Sequence, residues 1–120
     1  MNKLVQCIFI RGDLPWPPGA LVAQACHASS AVNYLDHNHP NTQSVFGNKN
    51  LITMEVFKVP TDSALESLSQ TLKDLEVDHK LWTEQPENIK TCLCTKIYPE
   101  SFVKVSEWLN ISKIKAEKVV

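Results

Sequence analysis

The sequence lacks a long hydrophobic segment. None of its apolar runs approaches the roughly 20 residues that a bilayer-spanning helix needs, so we expect no membrane partner. The apolar part of residues 1–13 is too short for a signal peptide and predicts a first β-strand instead. The composition, 43% hydrophobic and 21% charged over 120 residues, is typical of a soluble globular protein, and it predicts one domain over residues 1–120.

A C-x-x-C pair is also absent from the sequence. The four cysteines are Cys7, Cys26, Cys92 and Cys94. Cys92 and Cys94 are two residues apart in a predicted strand, so their side chains are expected on the same face. Without a secretory context, this usage predicts buried, reduced thiols in a cytoplasmic protein rather than a disulfide framework.

No excess of one charge sign is present either. The net charge is −1, and lysines and acidic residues are interspersed along the chain. Proteins that bind nucleic acid mainly through its phosphates usually carry a basic stripe, and here only residues 110–120 are mildly basic. Taken alone, the charge argues against a nucleic-acid partner.

Apolar runs and turn residues predict the element order β-α-β-α-β-β-α, which favours an α/β fold. Helical crossovers make part of the sheet parallel, while the short connection over residues 84–90 makes the third and fourth strands antiparallel. We therefore expect a mixed four-stranded sheet with helices on both faces. The predicted strands are 3–10, 51–59, 79–83 and 91–98; the helices are 18–36, one after residues 60–62, and 99–110; residues 36–50 form a loop.

Apolar spacing also predicts which side of each helix is buried. Each helix should place one stripe of apolar residues against the sheet. The expected inward residues are Leu21, Ala25, Ala28, Val32 and Leu35 in the first helix, Leu65, Leu68, Leu72 and Leu75 in the second, and Phe102, Val105 and Leu109 in the last.

A second, narrow stripe on the first helix contains Ala20, Gln24, His27 and Ala31. Ligands of open α/β sheets bind outside the carboxyl ends of strands, beside helix N-termini. One hypothesis is therefore a site at this position, and the other is a closely packed helix whose polar residues hydrogen-bond a neighbouring loop. The residues of the hypothetical site are Arg11, Asp13, Gly19, Gln24 and His27.

Two further groups of polar residues are candidates. The turn over residues 84–88 contains Glu84, Glu87 and Asn88, which form either part of a site or a solvated turn. His37 and His39 could bind a metal ion, but no cysteine or acidic cluster accompanies them, so we expect no metal site.

The sequence resembles the type-II peptidyl-tRNA hydrolase family over about residues 3–110. The family motif R-N-D-L is similar to Arg11-Gly12-Asp13-Leu14, and the helix motif G-K-x-A-A-Q-x-x-H-A is similar to GALVAQACHA over residues 19–28. The segment HKLWTEQPENI over residues 79–89 resembles the divergent branch of peptidyl-tRNA hydrolase domain-containing proteins.

This resemblance implies hydrolysis of the ester between a nascent peptide and tRNA, with peptidyl-tRNA or tRNA as partner, no cofactor and a homodimer. It implies that Glu84 or His27 activates water, and that Gln24 or a backbone N–H near Gly19 stabilises the oxyanion. The residues assigned to substrate binding are Arg11, Asp13, Gly19 and Asn88.

The chain departs from the family pattern at several places, among them Asn88, which falls near the family's threonine. The family's helix lysine is replaced by Ala20, and Glu84 stands where the family has an aspartate. Loss of one positive group can slow such a reaction about 10²- to 10³-fold, by analogy with removing an oxyanion donor. Lys80 or Lys90 could supply a cation from another element. Three hypotheses stay open: a slow peptidyl-tRNA hydrolase, a tRNA- or protein-binding module without catalysis, and a hydrolase of another ester or amide.

Overall fold

The chain folds into a mixed β-sheet between two layers of helices. The computed structural model describes residues 3–47 and 52–120, so the predicted start of the second strand, Leu51, lies outside the described residues. The strands are β1 (Leu4–Arg11), β2 (Ile52–Val59), β3 (His79–Glu84), β4 (Ile89–Thr95), β5 (Tyr98–Pro99) and β6 (Glu117–Lys118); the helices are α1 (Pro18–Leu35), α2 (Pro40–Gly47), α3 (Asp62–Asp74) and α4 (Val105–Ser112), with a 3₁₀ turn over Glu100–Phe102.

Strand β1 lies at the centre of the sheet, whose order is β3-β4-β1-β2-β6, with β5 also paired to β1. β1 and β2 are parallel from Leu4 opposite Ile52 to Arg11 opposite Val59. β4 is antiparallel to both β1 and β3. The predicted mixed sheet is confirmed, and the structure adds β5 and β6, whose two residues each are too few to show a sequence pattern.

The two faces of the sheet are covered by different helices. α3 and α4 pack on one face, around Phe9 and Leu93, and α1 packs on the other, around Ile8 and Cys94. The buried apolar residues of α1, Ala28 and Val32, are small or β-branched, which lets the helix lie close to the strands. Helices on both faces were predicted, and this is confirmed. In the described parts of the chain, no helix is long and apolar enough to cross a membrane.

Helix α2 occupies a segment that the sequence predicts to be loop. Its composition is polar, but Val45 is buried with Leu4 and Ile97 in a small apolar cluster. The hydroxyl of Thr42 donates to the carboxylate of Asp36, 3.0 Å away, which ties the helix to the end of α1. The loop prediction is wrong because these tertiary contacts outweigh weak local propensity.

The last predicted helix, 99–110, is divided in the structure. After the 3₁₀ turn, Val103 adopts an extended conformation (φ −80°, ψ 116°) before α4 begins. This interruption changes the helical phase, so the predicted inward face shifts. Phe102 is 42% exposed and stacks on Tyr98 with ring centroids 4.3 Å apart, while Trp108 is buried instead.

Three other residues that were predicted to be buried lie at the surface. Leu35 is 70% exposed at the end of α1, and Leu75 is 41% exposed just after α3, because both follow the last buried residue of their helix. Cys26 is exposed because it lies about 100° around α1 from the apolar stripe, whereas the other three cysteines are buried.

The sharp turn after α3 is made without glycine. The chain has three glycines, none with positive φ, and Glu76 adopts φ 59° after this helix. The N–H of Val77 donates to the carbonyl of Leu72 at 2.7 Å, and the N–H of Glu76 donates to the carbonyl of Lys73 at 3.1 Å. These are the two bonds of a Schellman motif, whose left-handed position favours glycine.

We predict that Glu76→Gly stabilises the protein, because a non-glycine residue in the left-handed region costs about 1 kcal/mol or more. The free energy of unfolding, measured by urea denaturation, should rise by about 1 kcal/mol. Glu76→Ala is the matched control, since it removes the same side chain but keeps the Cβ. Equal stability of the two variants would contradict the prediction.

Candidate active site

The side-chain amide of Gln24 connects α1 to the sheet. Gln24 is 3% exposed, so its polar atoms need partners inside the protein. Its Nε2 donates to Oε2 of Glu84 at 3.1 Å, and its Oε1 accepts from the hydroxyl of Thr91 at 2.8 Å. Both partners fix the orientation of the amide and place it between β4 and the end of β3.

Glu84 is the last residue of β3, and both of its carboxylate oxygens accept hydrogen bonds. Gln24 donates to one oxygen, and Trp82 Nε1 donates to the other at 3.2 Å. These donors, Gln24 first, hold the pKa of Glu84 below its ordinary value, and the charge of His27 acts in the same direction. Glu84 is therefore ionised at neutral pH.

His27 reaches the same group through an aromatic contact. Its ring stacks on the indole of Trp82, with centroids 5.1 Å apart and 22° between the planes. His27 is exposed, whereas Trp82 is partly buried against Cys92 and Ala28. The structure thus brings together the three residues predicted to be catalytic, with Trp82 as the common neighbour of His27 and Glu84.

A β-bulge in β4 directs Thr91 toward Gln24. Trp82 pairs with Cys92 and Thr83 pairs with Lys90, so Thr91 is an extra residue in β4. Thr91 and Cys92 consequently both face α1. The β4 residues before the bulge therefore point to the face opposite to the one that strict side-chain alternation would give them. Lys90 then faces α3, where its ammonium bonds Glu66 Oε1 at 2.8 Å.

Arg11 and Asp13 form a pair at the carboxyl end of β1. The Arg11 Nε and Nη2 atoms each donate to one carboxylate oxygen of Asp13 at 2.9 Å, and Nη1 donates to the backbone carbonyl of Lys90 at 3.1 Å. The pairing raises the pKa of Arg11 and lowers that of Asp13. The guanidinium therefore ties the loop after β1 to the start of β4, next to Thr91.

Gly19 and Ala20 lie in the first turn of α1. Two prolines, Pro17 and Pro18, set the start of this helix, and the carbonyl of Pro17 accepts from the N–H of Ala20 at 2.9 Å. A Cβ added at Gly19 would meet no atom within 4 Å, so the backbone there faces open space. The N–H of Leu21 donates to the same carbonyl at 3.3 Å and Pro18 has no N–H, so Gly19 is the first-turn residue whose N–H can serve a bound ligand.

Asn88 lies in the turn between β3 and β4 and is not one of the hydrogen-bond partners of the Gln24 amide, which are Glu84 and Thr91. It adopts φ 59°, and its Oδ1 accepts a long bond, 3.4 Å, from Gln85. Glu87 is exposed in the same turn. The structure therefore connects Glu84 to the candidate site, while Asn88 and Glu87 belong to the surface of the turn.

The two histidines considered as metal ligands have other contacts. His37 Nδ1 lies 2.8 Å from the carbonyl oxygen of Tyr34, and His39 Nδ1 accepts from the N–H of Asn41 at 3.1 Å. Within residues 3–47 and 52–120, no three His, Cys, Asp or Glu side chains are grouped as ligands for a metal ion.

The sequence-based reasoning missed Trp82 and Thr91. Trp82 had a usable signal, because it lies two residues before Glu84 in a strand and therefore on the same face. Thr91 had none, since its orientation depends on a bulge that strand alternation does not reveal.

Comparison with known proteins identifies the class that this fold and site define. The family described as peptidyl-tRNA hydrolase PTH2 matches residues 4–109, and the chain belongs to this family. The mouse protein named "Putative peptidyl-tRNA hydrolase PTRHD1" is 40% identical over 112 residues, which cover 89% of this chain and 79% of the mouse protein. The human protein of the same name is 41% identical over 105 residues, covering 83% of this chain and 75% of the human protein. The membership predicted from the motifs is confirmed.

We predict that the pKa of Glu84 rises when either of its donors is removed. Gln24→Leu and Trp82→Phe each delete one N–H that favours the ionised carboxylate, so each variant should titrate at higher pH than the parent. The measurement is the pH dependence of the Glu84 side-chain carbon resonance by NMR. Glu87→Gln serves as the control that leaves both donors in place, and an unchanged Glu84 titration in both donor variants would contradict the assignment.

Proposed function

We propose that this protein hydrolyses the ester that joins a peptide to the 3′ end of tRNA, and that Glu84, His27 and Gln24 form its site. The observation that supports this most is the ionised carboxylate of Glu84, held by the buried Gln24 amide close to an exposed histidine. Ester hydrolysis needs a positioned water, a group that accepts its proton, and donors for the tetrahedral oxyanion. These three groups, together with the first turn of α1, offer each of those functions.

The chemical roles follow from exposure and protonation. Glu84 orients the attacking water and accepts its proton, because the carboxylate is ionised at neutral pH. His27 donates a proton to the leaving ribose oxygen as the ester C–O bond breaks, and the proton that Glu84 has taken from water then returns to His27 through solvent. Gln24 is buried, so it acts by positioning Glu84 rather than by touching the substrate.

The oxyanion is stabilised by the backbone N–H of Gly19 at the start of α1, since the N–H groups of Ala20 and Leu21 donate to the carbonyl of Pro17. Gly19 supports this assignment because its backbone faces open space and a carbonyl group can approach it closely. The positive end of the helix dipole lies at the same place and favours a developing negative charge. Arg11 and Asp13 shape the neighbouring loop, and their mutual pairing leaves little free charge for binding a phosphate.

We further propose that the reaction is slow. Ala20 offers no cation in the first turn of α1, and the ammonium of Lys90 is directed to Glu66 on the opposite face of the sheet. Lys80 lies on the same face of β3 as Trp82, but it is four residues, about 13 Å, from Glu84 and on the side away from the first turn of α1, so it does not replace this cation. The lowered pKa of Glu84 also makes it a weak base, which reduces the rate of proton abstraction.

A second candidate function is a tRNA-binding module without catalysis. Ala20 favours it, because the first turn of α1 then lacks the cation that the family's helix lysine would supply to the reaction. Under this proposal, binding of tRNA weakens as salt increases, and no acyl group is released.

The main test follows release of the acyl group from N-acetyl-aminoacyl-tRNA by the purified protein. We expect release above buffer, and a decrease of about 10²-fold or more in His27→Ala and in Glu84→Ala, since each removes a proton-transfer group. Glu87→Ala and His37→Ala are matched controls that should keep the parent rate. No release by the parent protein, together with salt-dependent tRNA binding, would favour the binding module. Release that survives both site substitutions would refute the site.

A second test introduces a cation at residue 20, in the first turn of α1. Ala20→Lys should raise the rate of acyl release about tenfold or more, because an ammonium in the first turn would stabilise the developing oxyanion. Val22→Lys is the control, since it adds the same charge at a residue that is 62% exposed and points elsewhere on α1. Equal rates for the two lysine variants would argue that the absent cation is not what limits the reaction.

A further inference from the structure

The stacked rings of His27 and Trp82 form an aromatic plate at the candidate site. The indole covers one face of the imidazole, with 5.1 Å between the centroids, and His27 is exposed. The accessible area of the imidazole therefore lies on its opposite face and on its ring edge. A flat, accessible aromatic face of this kind accepts another planar ring by stacking.

The plate is held in place by a continuous series of hydrogen bonds. Trp82 donates to Glu84, Gln24 donates to the same carboxylate, and Thr91 donates to Gln24. Gln24 and Thr91 are buried, so this support is rigid. A preorganised aromatic surface loses little conformational freedom when a ligand binds, which favours binding.

We propose that the His27–Trp82 plate binds the terminal nucleobase of the RNA whose 3′ ester is cleaved. This inference rests on the proposed function, because it takes the substrate to be an ester of a ribonucleotide. The ribose that carries the reacting ester also carries a base, so the site must accommodate a planar ring within one sugar of Glu84. Trp82 donates a hydrogen bond to Glu84, so the stacked rings lie close enough to Glu84 to hold the base of the reacting nucleotide.

Two further observations favour stacking as the mode of recognition. Stacking on an aromatic side chain is independent of the phosphate charge, and histidine is among the residues that stack RNA bases. The chain has a net charge of −1, and the nearby Arg11 and Lys90 are each paired with an acid. Ring contact can thus supply affinity for the 3′ end that the charges do not supply.

The test compares the trinucleotide C-C-A with the same molecule lacking its 3′-terminal base, using calorimetric titration of the full chain. We expect the parent protein to bind C-C-A about tenfold or more tightly than the abasic analogue. His27→Phe should keep this preference, because it retains a flat ring, and His27→Ala should lose it. Tyr34→Ala is a matched control, because Tyr34 and His37 form another stacked pair, with centroids 5.8 Å apart, and it should leave the preference unchanged.

The outcomes separate this inference from the proposed function. His27→Phe should retain the base preference but lose acyl release, since phenylalanine cannot transfer a proton. Base-dependent binding without any acyl release by the parent would support the plate and refute the hydrolase. Acyl release by the parent with equal binding of the two oligonucleotides would overturn the plate. The plate would also be overturned if His27→Ala bound C-C-A with the same preference over the abasic analogue as the parent protein.

Discussion

The buried amide of Gln24 imposes the constraint on which the site depends. An amide that is removed from water without partners costs about 1–3 kcal/mol for each unsatisfied group. The Thr91 hydroxyl and the Glu84 carboxylate satisfy it, and they do so in one orientation. A reversed amide would place its oxygen against a carboxylate, which is repulsive. The position of Glu84 is consequently set by the same bonds that dock α1 on the sheet.

A second polar anchor fixes α1 farther along its length. Gln6 is fully buried in β1, and its Nε2 donates to Asn33 Oδ1 and to the carbonyl of Thr95, both at 2.9 Å. Ser29 donates to Gln6 Oε1 at 3.2 Å. Two separated anchors fix both the translation and the rotation of the helix, which apolar contacts between small side chains would leave less specific. The exposure of His27 on the side of Trp82 follows from this docking.

The sequence predicts most of the fold because its strongest patterns are local. The apolar run of β1, the proline start of α1 and the leucine stripe of α3 each indicate their element. The helical wheel also placed Gln24 and His27 together at the border of the core. It could not show that Gln24 is inside and His27 outside, because residues three apart differ by only about 60° around a helix. That distinction depends on where β4 lies.

The features that the sequence could not predict are tertiary. The polar segment of α2 becomes a helix because it packs on Leu4 and Ile97. The bulge at Thr91 is invisible in a strand pattern, yet it decides that Thr91 faces Gln24 and that Lys90 faces Glu66. The positive-φ residue after α3, Glu76, is likewise hidden, because left-handed positions are normally predicted from glycine.

The geometry of the site and the basicity of Glu84 oppose each other. Two N–H donors hold the carboxylate in a single orientation, which favours catalysis by positioning. The same donors stabilise its ionised form, so they lower the pKa of the carboxylate and oppose its accepting a proton. A carboxylate held in this way orients a water molecule well and deprotonates it poorly. In the mechanism proposed above, His27 and the helix N-terminus at Gly19 therefore contribute more of the stabilisation of the transition state.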